Sequence, residues 1–146
     1  MAKNPNRPLS PHLGIYKWGP HMAISIFHRA TGFVLATAGV MTLLWWIYSI
    51  ATGPEAYASF QSYVVSAGPD ATLTQTAVNW FFRLLGLGVT WSFFQHFFSG
   101  IRHLLMDLGA GYELTTNKTW SLLVFIAALS ATGITALLVA SRYIGN

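Results

Sequence analysis

The stretch FVLATAGVMTLLWWIYSI, residues 33–50, contains no charged side chain and decides the fold. Two further apolar stretches follow it: FFRLLGLGVTWSFFQHFFSGI at residues 81–101 and SLLVFIAALSATGITALLVA at residues 121–140. Crossing the hydrocarbon core takes about 20 helical residues, and an isolated apolar segment satisfies its backbone in lipid only as a helix. The sequence therefore predicts an all-α integral membrane protein with three transmembrane helices, at about residues 22–50, 78–106 and 120–143.

The composition agrees with a membrane location. Hydrophobic residues make up 53% of the 146-residue chain and charged residues only 8%, whereas about a quarter of a soluble domain is charged. The net charge of +4 comes from scattered basic residues that form no cluster, so the sequence indicates no nucleic-acid partner. The chain has no cysteine to ligate a metal or an iron–sulfur cluster. No nucleophile–base pair or phosphate loop is present, and we assign no catalytic residue.

The basic residues predict the orientation. Four of them precede or open the first helix: Lys3, Arg7, Lys17 and Arg29. The loop at residues 51–77 has none, so the positive-inside rule places the N-terminus on the cytoplasmic or matrix side. We therefore predict an inner-side arm at residues 1–21 and a membrane domain at residues 22–146. The first apolar run is too long for the 7–15 apolar residues typical of a cleaved signal peptide.

The first loop contains its own helical pattern. Tyr57, Phe60, Tyr63 and Val64 recur at helical spacing between two Gly-Pro pairs. This pattern predicts a short helix on the outer surface of the membrane.

The first transmembrane helix carries polar side chains near its inner end. Ser25, His28 and Arg29 stand at i, i+3 and i+4 and share one face. Ionisable groups inside a membrane helix are costly unless they are paired or hydrated. This face therefore indicates a site that meets protein or ligand. The alternative is that Arg29 only extends to the lipid headgroups.

The second helix carries His96, Gly100, His103 and Asp107 on one face. A histidine as deep as His96, among phenylalanines, is either hydrogen-bonded to a neighbouring helix or an axial ligand of haem iron. Gly100 would leave room for a flat macrocycle. His103 is two turns away, about 10 Å, so it cannot share the iron with His96. The second ligand comes from His28 or from a partner subunit.

Residues nearer the inner surface suit the haem propionates. Arg29 and His103 are placed to act there as charge-assisted donors. We expect Asp107 to be a solvated loop carboxylate.

Three motifs together resemble a known family. RPLSPHLGIY at residues 7–16, SIFHRATG at 25–32 and HFFSGIRHLLMD at 96–107 are similar to the cytochrome b556 subunits of succinate dehydrogenase, respiratory complex II. The resemblance implies a location in the bacterial or mitochondrial inner membrane. It also implies a helical bundle with a second hydrophobic anchor subunit, and partner iron–sulfur and flavoprotein subunits that hold the iron–sulfur clusters and the FAD.

The resemblance also implies residue roles. His96 would be the axial ligand of haem b, with the second ligand on the partner anchor subunit, and His28, Arg29 and His103 would lie near the propionates. Ser25 and Arg29 would bind ubiquinone, the hydroxyl as a donor to a carbonyl and the cation stabilising the reduced, anionic quinone.

Three alternatives remain beside this interpretation. The chain could be the anchor of a quinol:fumarate reductase, or a purely structural anchor whose histidines are only hydrogen-bonded. A small transporter or proton channel would need polar groups through the whole bilayer, whereas the outer halves of these helices offer little beyond Arg83, Ser and Thr.

Overall fold

The computed structural model describes Gly14 and residues 16–144, with the side chains of 143 and 144 excepted. Its elements are α1 (Pro20–Val34), a π-helical turn (Leu35–Gly39), α2 (Val40–Thr52), α3 (Pro54–Val64), α4 (Leu73–Asp107) and α5 (Leu114–Ile144). The first three run on as one helix, Pro20–Thr52, called here the first long helix. Most of the RPLSPHLGIY motif and of the predicted arm lies outside the described residues.

Local sequence signals fix the helix ends. Pro20 follows the extended Gly19 and occupies the first turn of α1, where its missing N–H costs nothing. Gly53, with φ of 123°, ends α2, and Pro54 then begins α3. Thr72 and Gln75 form a reciprocal capping box at the start of α4.

The three long helices pack side by side, with α4 against both α1 and α5, and α1 against α5. The interior is polar and the exterior apolar. Of the buried residues that the structure describes, four are hydrophobic and nine are polar or charged. Leu, Ile, Phe and Trp side chains point outward along all three long helices. This inverted distribution suits a solvent that is itself apolar, in which small and polar residues make the helix contacts.

Hydroxyl groups along the helices are mostly paired within their own helix. Thr31 donates to the carbonyl of Phe27 at 2.6 Å, Thr42 to Ala38 at 2.7 Å, and Thr132 to Ala128 at 2.7 Å. Bonding back to a carbonyl four residues earlier satisfies each of these hydroxyls within its own helix.

The helix predicted in the first loop is confirmed as α3. The side chain of Asn79 in α4 holds its C-terminal end, accepting from the N–H of Ala67 at 2.9 Å and donating to the carbonyls of Ser62 and Tyr63 at 2.7 and 2.6 Å. Arg83 donates to the carbonyl of Val65 at 2.9 Å. A cation at this position also opposes the negative end of the helix dipole.

Each predicted apolar stretch lies within one of the long helices, but the helices extend further. The second begins at Leu73 rather than 78, and the third at Leu114 rather than 120. Hydropathy marks only the apolar part of a helix, whereas the capping box and the polar first turn of α5 add residues that suit the headgroup region.

Among the described residues, two helices are long and apolar enough to cross a membrane, Pro20–Thr52 and Leu114–Arg142. Helix α4 is the longest, with 35 residues, but Arg83, Gln95, His96 and Arg102 lower its hydropathy. A third crossing by α4 therefore stays a prediction.

The π-helical turn interrupts the first long helix, an irregularity that the apolar pattern did not predict. Here Thr37 donates to the carbonyl of Phe33 at 2.8 Å, and Gly39 faces Val89 of α4. One extra residue in the turn rotates the C-terminal half of the helix relative to its N-terminal half.

Replacing Asn79 tests the tie between α3 and α4. We expect Asn79→Ala to lower the melting temperature of the purified membrane complex by several degrees, because one N–H and two carbonyls of the backbone lose their hydrogen-bond partner, at about 0.5–1.5 kcal/mol each. Thr76→Ala, one turn earlier and exposed, is the matched control and should change little. Equal melting temperatures for the two variants would contradict the tie.

Candidate functional site

Three histidines meet where α1 crosses the C-terminal part of α4. The rings of His28 and His96 are stacked, with centroids 4.0 Å apart and planes 8° from parallel. His103 is tilted by 59° against His28, with a centroid distance of 5.0 Å. The face that the sequence predicted on α4 therefore does meet the polar face of α1.

A hydrogen bond fixes the orientation of His96. Its Nδ1 lies 3.0 Å from the carbonyl oxygen of His28. Because a carbonyl only accepts, Nδ1 must carry the proton, which leaves the lone pair on Nε2. Nε2 makes no hydrogen bond to the residues that the structure describes. This arrangement is typical of a metal-binding histidine, whose second nitrogen is held by a carbonyl.

Gly32 makes the close approach of His96 possible. A Cβ atom at residue 32 would lie 2.9 Å from Cε1 and 3.3 Å from Nδ1 of His96. Gly100 has a looser environment, where a Cβ would meet only Cε1 of His28, at 3.9 Å. The small residue on which His96 depends is therefore on α1, one turn after His28. The helix-by-helix pattern did not single it out.

His28 is not placed to share an iron with His96. Two axial ligands approach one iron through their ring edges from opposite sides, whereas these rings lie face to face at 4.0 Å. Nδ1 of His28 is buried without a hydrogen-bond partner. Among the described residues, no group of three His, Cys, Asp or Glu side chains is arranged to hold a bare metal ion. Nε2 makes His96 a candidate metal ligand, and the unpaired nitrogen of His28 is a donor or acceptor available to a bound group.

Ser25 and Arg29 lie at the edge of the cluster. The side chain of Ser25 is half-buried and that of Arg29 is exposed. Neither side chain makes a hydrogen bond to the described residues, whereas the hydroxyl of Thr31 in the same helix is paired. Both groups are therefore available to a ligand or a partner. Asp107 is exposed, as expected of a solvated carboxylate.

A second polar stripe lies on α4, about 100° round the helix from the histidines. It faces α5, where Arg102 donates through Nη2 to the side chain of Asn117. Gln95 and Ser99 are fully buried and Arg102 is 5% exposed. Their spacing of four and three residues is the signal that could have revealed this buried face from the sequence.

Fold and site together define a class: a helical membrane protein with a polar interior and an imidazole cluster between two antiparallel helices. Comparison with known proteins narrows the class. The family model described as "Succinate dehydrogenase/Fumarate reductase transmembrane subunit" matches residues 3–135. The chain therefore belongs to this family, which confirms the resemblance carried by the three motifs.

The names of individual relatives agree with this family. The chain is 34% identical over 109 residues to the succinate dehydrogenase cytochrome b556 subunit of Paracoccus denitrificans, covering 75% of this chain and 73% of that protein. It is 35% identical over 133 residues to the mitochondrial succinate dehydrogenase cytochrome b560 subunit of Sus scrofa, covering 90% and 72%. The corresponding subunit of Mus musculus is 36% identical over 135 residues.

Gly32→Ala tests the packing of the cluster. A methyl group 2.9 Å from a ring carbon of His96 must displace that ring, and we expect a loss of about 1–3 kcal/mol of stability, as for overpacking. Gly86→Ala is the control, because nothing lies within 4 Å of a Cβ there and alanine favours the helix. Thermal unfolding of the two variants in detergent measures the difference. A more stable Gly32→Ala variant would show that the ring does not lie against α1.

Proposed function

We propose that this chain is the membrane-anchor subunit of a succinate:ubiquinone oxidoreductase, where it binds haem b and contributes to the site that reduces ubiquinone. One observation carries the proposal: Nδ1 of His96 is held by a backbone carbonyl, so that Nε2 is left for a metal. The names of the relatives, cytochrome b556 and b560 subunits, agree with a haem protein. As the resemblance implies, the succinate site would lie on a partner subunit rather than on this chain.

The proposal includes three membrane crossings with the N-terminus on the inner side, in a bacterial or mitochondrial inner membrane. The distribution of side chains on α4 supports the third crossing. Its polar groups Gln95, Ser99 and Arg102 are buried against the rest of the chain, while its exposed side chains include Leu84, Leu87 and Phe97. The surface that α4 turns outward is therefore more apolar than its average composition.

For haem, His96 would supply one axial ligand through Nε2. The face-to-face stacking of His28 on His96 favours a second ligand from outside the chain, on a partner anchor subunit. Haem b, when bound, supplies an iron that takes up and releases one electron at a time. His28, Arg29 and His103 would neutralise and hydrogen-bond its propionates, and the unpaired Nδ1 of His28 is suited to that role.

For ubiquinone, Ser25 and Arg29 are the proposed contacts. The hydroxyl of Ser25 would donate to a quinone carbonyl, and Arg29 would stabilise the negative charge that develops as the quinone is reduced. Their lack of partners within the described chain supports this assignment.

The proposed partners are the second hydrophobic anchor, the iron–sulfur subunit and the flavoprotein, which would carry the iron–sulfur clusters and FAD. Electrons from succinate would arrive through the iron–sulfur subunit at the inner side, where Ser25 and Arg29 lie. The family description also covers fumarate reductases, but the relatives reported above are succinate dehydrogenase subunits.

Visible spectroscopy of the purified complex tests the haem ligand. We expect His96→Ala to abolish or strongly shift the reduced-minus-oxidised bands of b-type haem, because the iron loses an axial ligand. His28→Ala should retain a bis-ligated spectrum with at most a small shift. Equal loss in both variants would indicate a ligand pair within this chain. An unchanged spectrum in His96→Ala would show that this histidine does not bind haem, and it would favour a purely structural anchor.

Turnover tests the quinone contacts. We expect Ser25→Ala and Arg29→Ala each to lower succinate-dependent ubiquinone reduction on the order of tenfold, the effect of losing one hydrogen bond to a charged or developing-charge partner. Oxidation of succinate with a soluble artificial acceptor should be unchanged, because it bypasses the membrane site. Ser62→Ala, an exposed hydroxyl on α3, is the matched control. Parallel loss of both activities would mean that the complex is disrupted rather than the quinone site.

A further inference from the structure

Four side chains on α4 carry a row of buried polar atoms that the proposed function does not use. The row consists of Trp91, Gln95, Ser99 and Arg102, which stand at i, i+4, i+8 and i+11. It is about 16 Å long at the helical rise. Arg102 pairs with Asn117 of α5 at the inner end of the bundle, and the row continues from there toward the middle of the helix.

Five polar atoms of this row are buried without a hydrogen-bond partner: Nε1 of Trp91, Nε2 and Oε1 of Gln95, Oγ of Ser99 and Nε of Arg102. Gln95 and Ser99 are 0% exposed. Leaving such atoms unpaired costs about 1–3 kcal/mol each, and buried polar groups are almost always paired with protein or ordered water. Five in one row therefore indicate a bound ligand rather than five separate defects.

The position of these atoms excludes a partner subunit as the ligand. They are enclosed by the helices of this chain, with Ser121, Val124 and Ala128 of α5 also buried. A second chain packed on the outside of the bundle reaches none of them. The hydroxyls of Ser121 and Thr31 donate to carbonyls of their own helices, so they do not complete the row as donors.

The chemistry of the atoms selects the ligand. The indole N–H of Trp91 and the Nε–H of Arg102 only donate, Oε1 of Gln95 only accepts, and the hydroxyl of Ser99 does both. An anion would satisfy only the donors and a cation only the acceptors. Water both donates and accepts, and a buried water typically makes about three hydrogen bonds to groups of this kind.

We propose that α4 and α5 enclose a file of water molecules bound along the polar row, from the Arg102–Asn117 pair to the indole of Trp91. The waters hydrate the guanidinium of Arg102 inside the bundle, where no carboxylate of the described residues pairs with it. They also bridge side chains on α4 that are one turn apart. This inference is independent of haem and quinone binding.

The sign of a stability change tests the proposal. Gln95→Met keeps the volume of the side chain and removes its polar atoms. In the intact membrane complex we expect a fall of several degrees in melting temperature, because the waters and their other partners lose hydrogen bonds. If Gln95 is dry and unpaired, the same substitution removes a desolvation cost and raises the melting temperature, which would overturn the proposal. Gln61→Met, exposed on α3, is the matched control.

A second measurement separates bound water from direct pairing between the side chains. A structure of the complex at a resolution that shows ordered water should contain density within about 3.2 Å of the carboxamide of Gln95 and the hydroxyl of Ser99. Density for water at both groups, lost at Gln95 in the Gln95→Met variant, supports the file. Side chains that hydrogen-bond directly to each other there, with no water between them, would overturn it.

Discussion

The hydrogen bond from Nδ1 of His96 to the carbonyl of His28 joins α1 to the C-terminal part of α4. The geometry around it depends on that contact. Residue 32 must be glycine for the ring of His96 to fit, and the ring of His28 stacks against that of His96. The hydrogen bond also decides the tautomer of His96. A single interhelical hydrogen bond therefore sets which nitrogen of His96 keeps an unshared lone pair.

The surroundings of this contact follow from the same constraint. Lipid supplies no hydrogen-bond partners, so each polar group must find one within the protein or a bound molecule. Most hydroxyls satisfy this requirement within their own helix, and Asn79 satisfies it by holding the end of α3. The groups left over are concentrated on α1 and α4: Ser25 and Arg29 at the edge of the bundle, the imidazoles between the helices, and the polar row toward α5. The unpaired groups thus mark the places where this chain is incomplete by itself.

The helices differ in how well their hydropathy predicts that they cross a membrane. The first long helix and α5 each contain a long apolar stretch, and the order and approximate position of these two helices follow from hydropathy alone. The short helix α3 followed from aromatic spacing between Gly-Pro pairs. Helix α4 is not among the helices apolar enough to count as a span, because its two polar faces are averaged with an apolar outer face. A mean hydropathy along the sequence does not show which face of a helix each residue lies on. The packed structure does show it.

The sequence by itself determined the all-α class, the family, and the candidate residues His96, His28, Ser25 and Arg29, because apolar length and motif spacing are local properties of the chain. Only the tertiary structure decided which faces meet. It brought His28 and His96 into a face-to-face stack, assigned the close approach to Gly32 rather than Gly100, and buried Arg102 against Asn117. These outcomes depend on how two helices cross, and the crossing is set by side chains from distant parts of the sequence acting together.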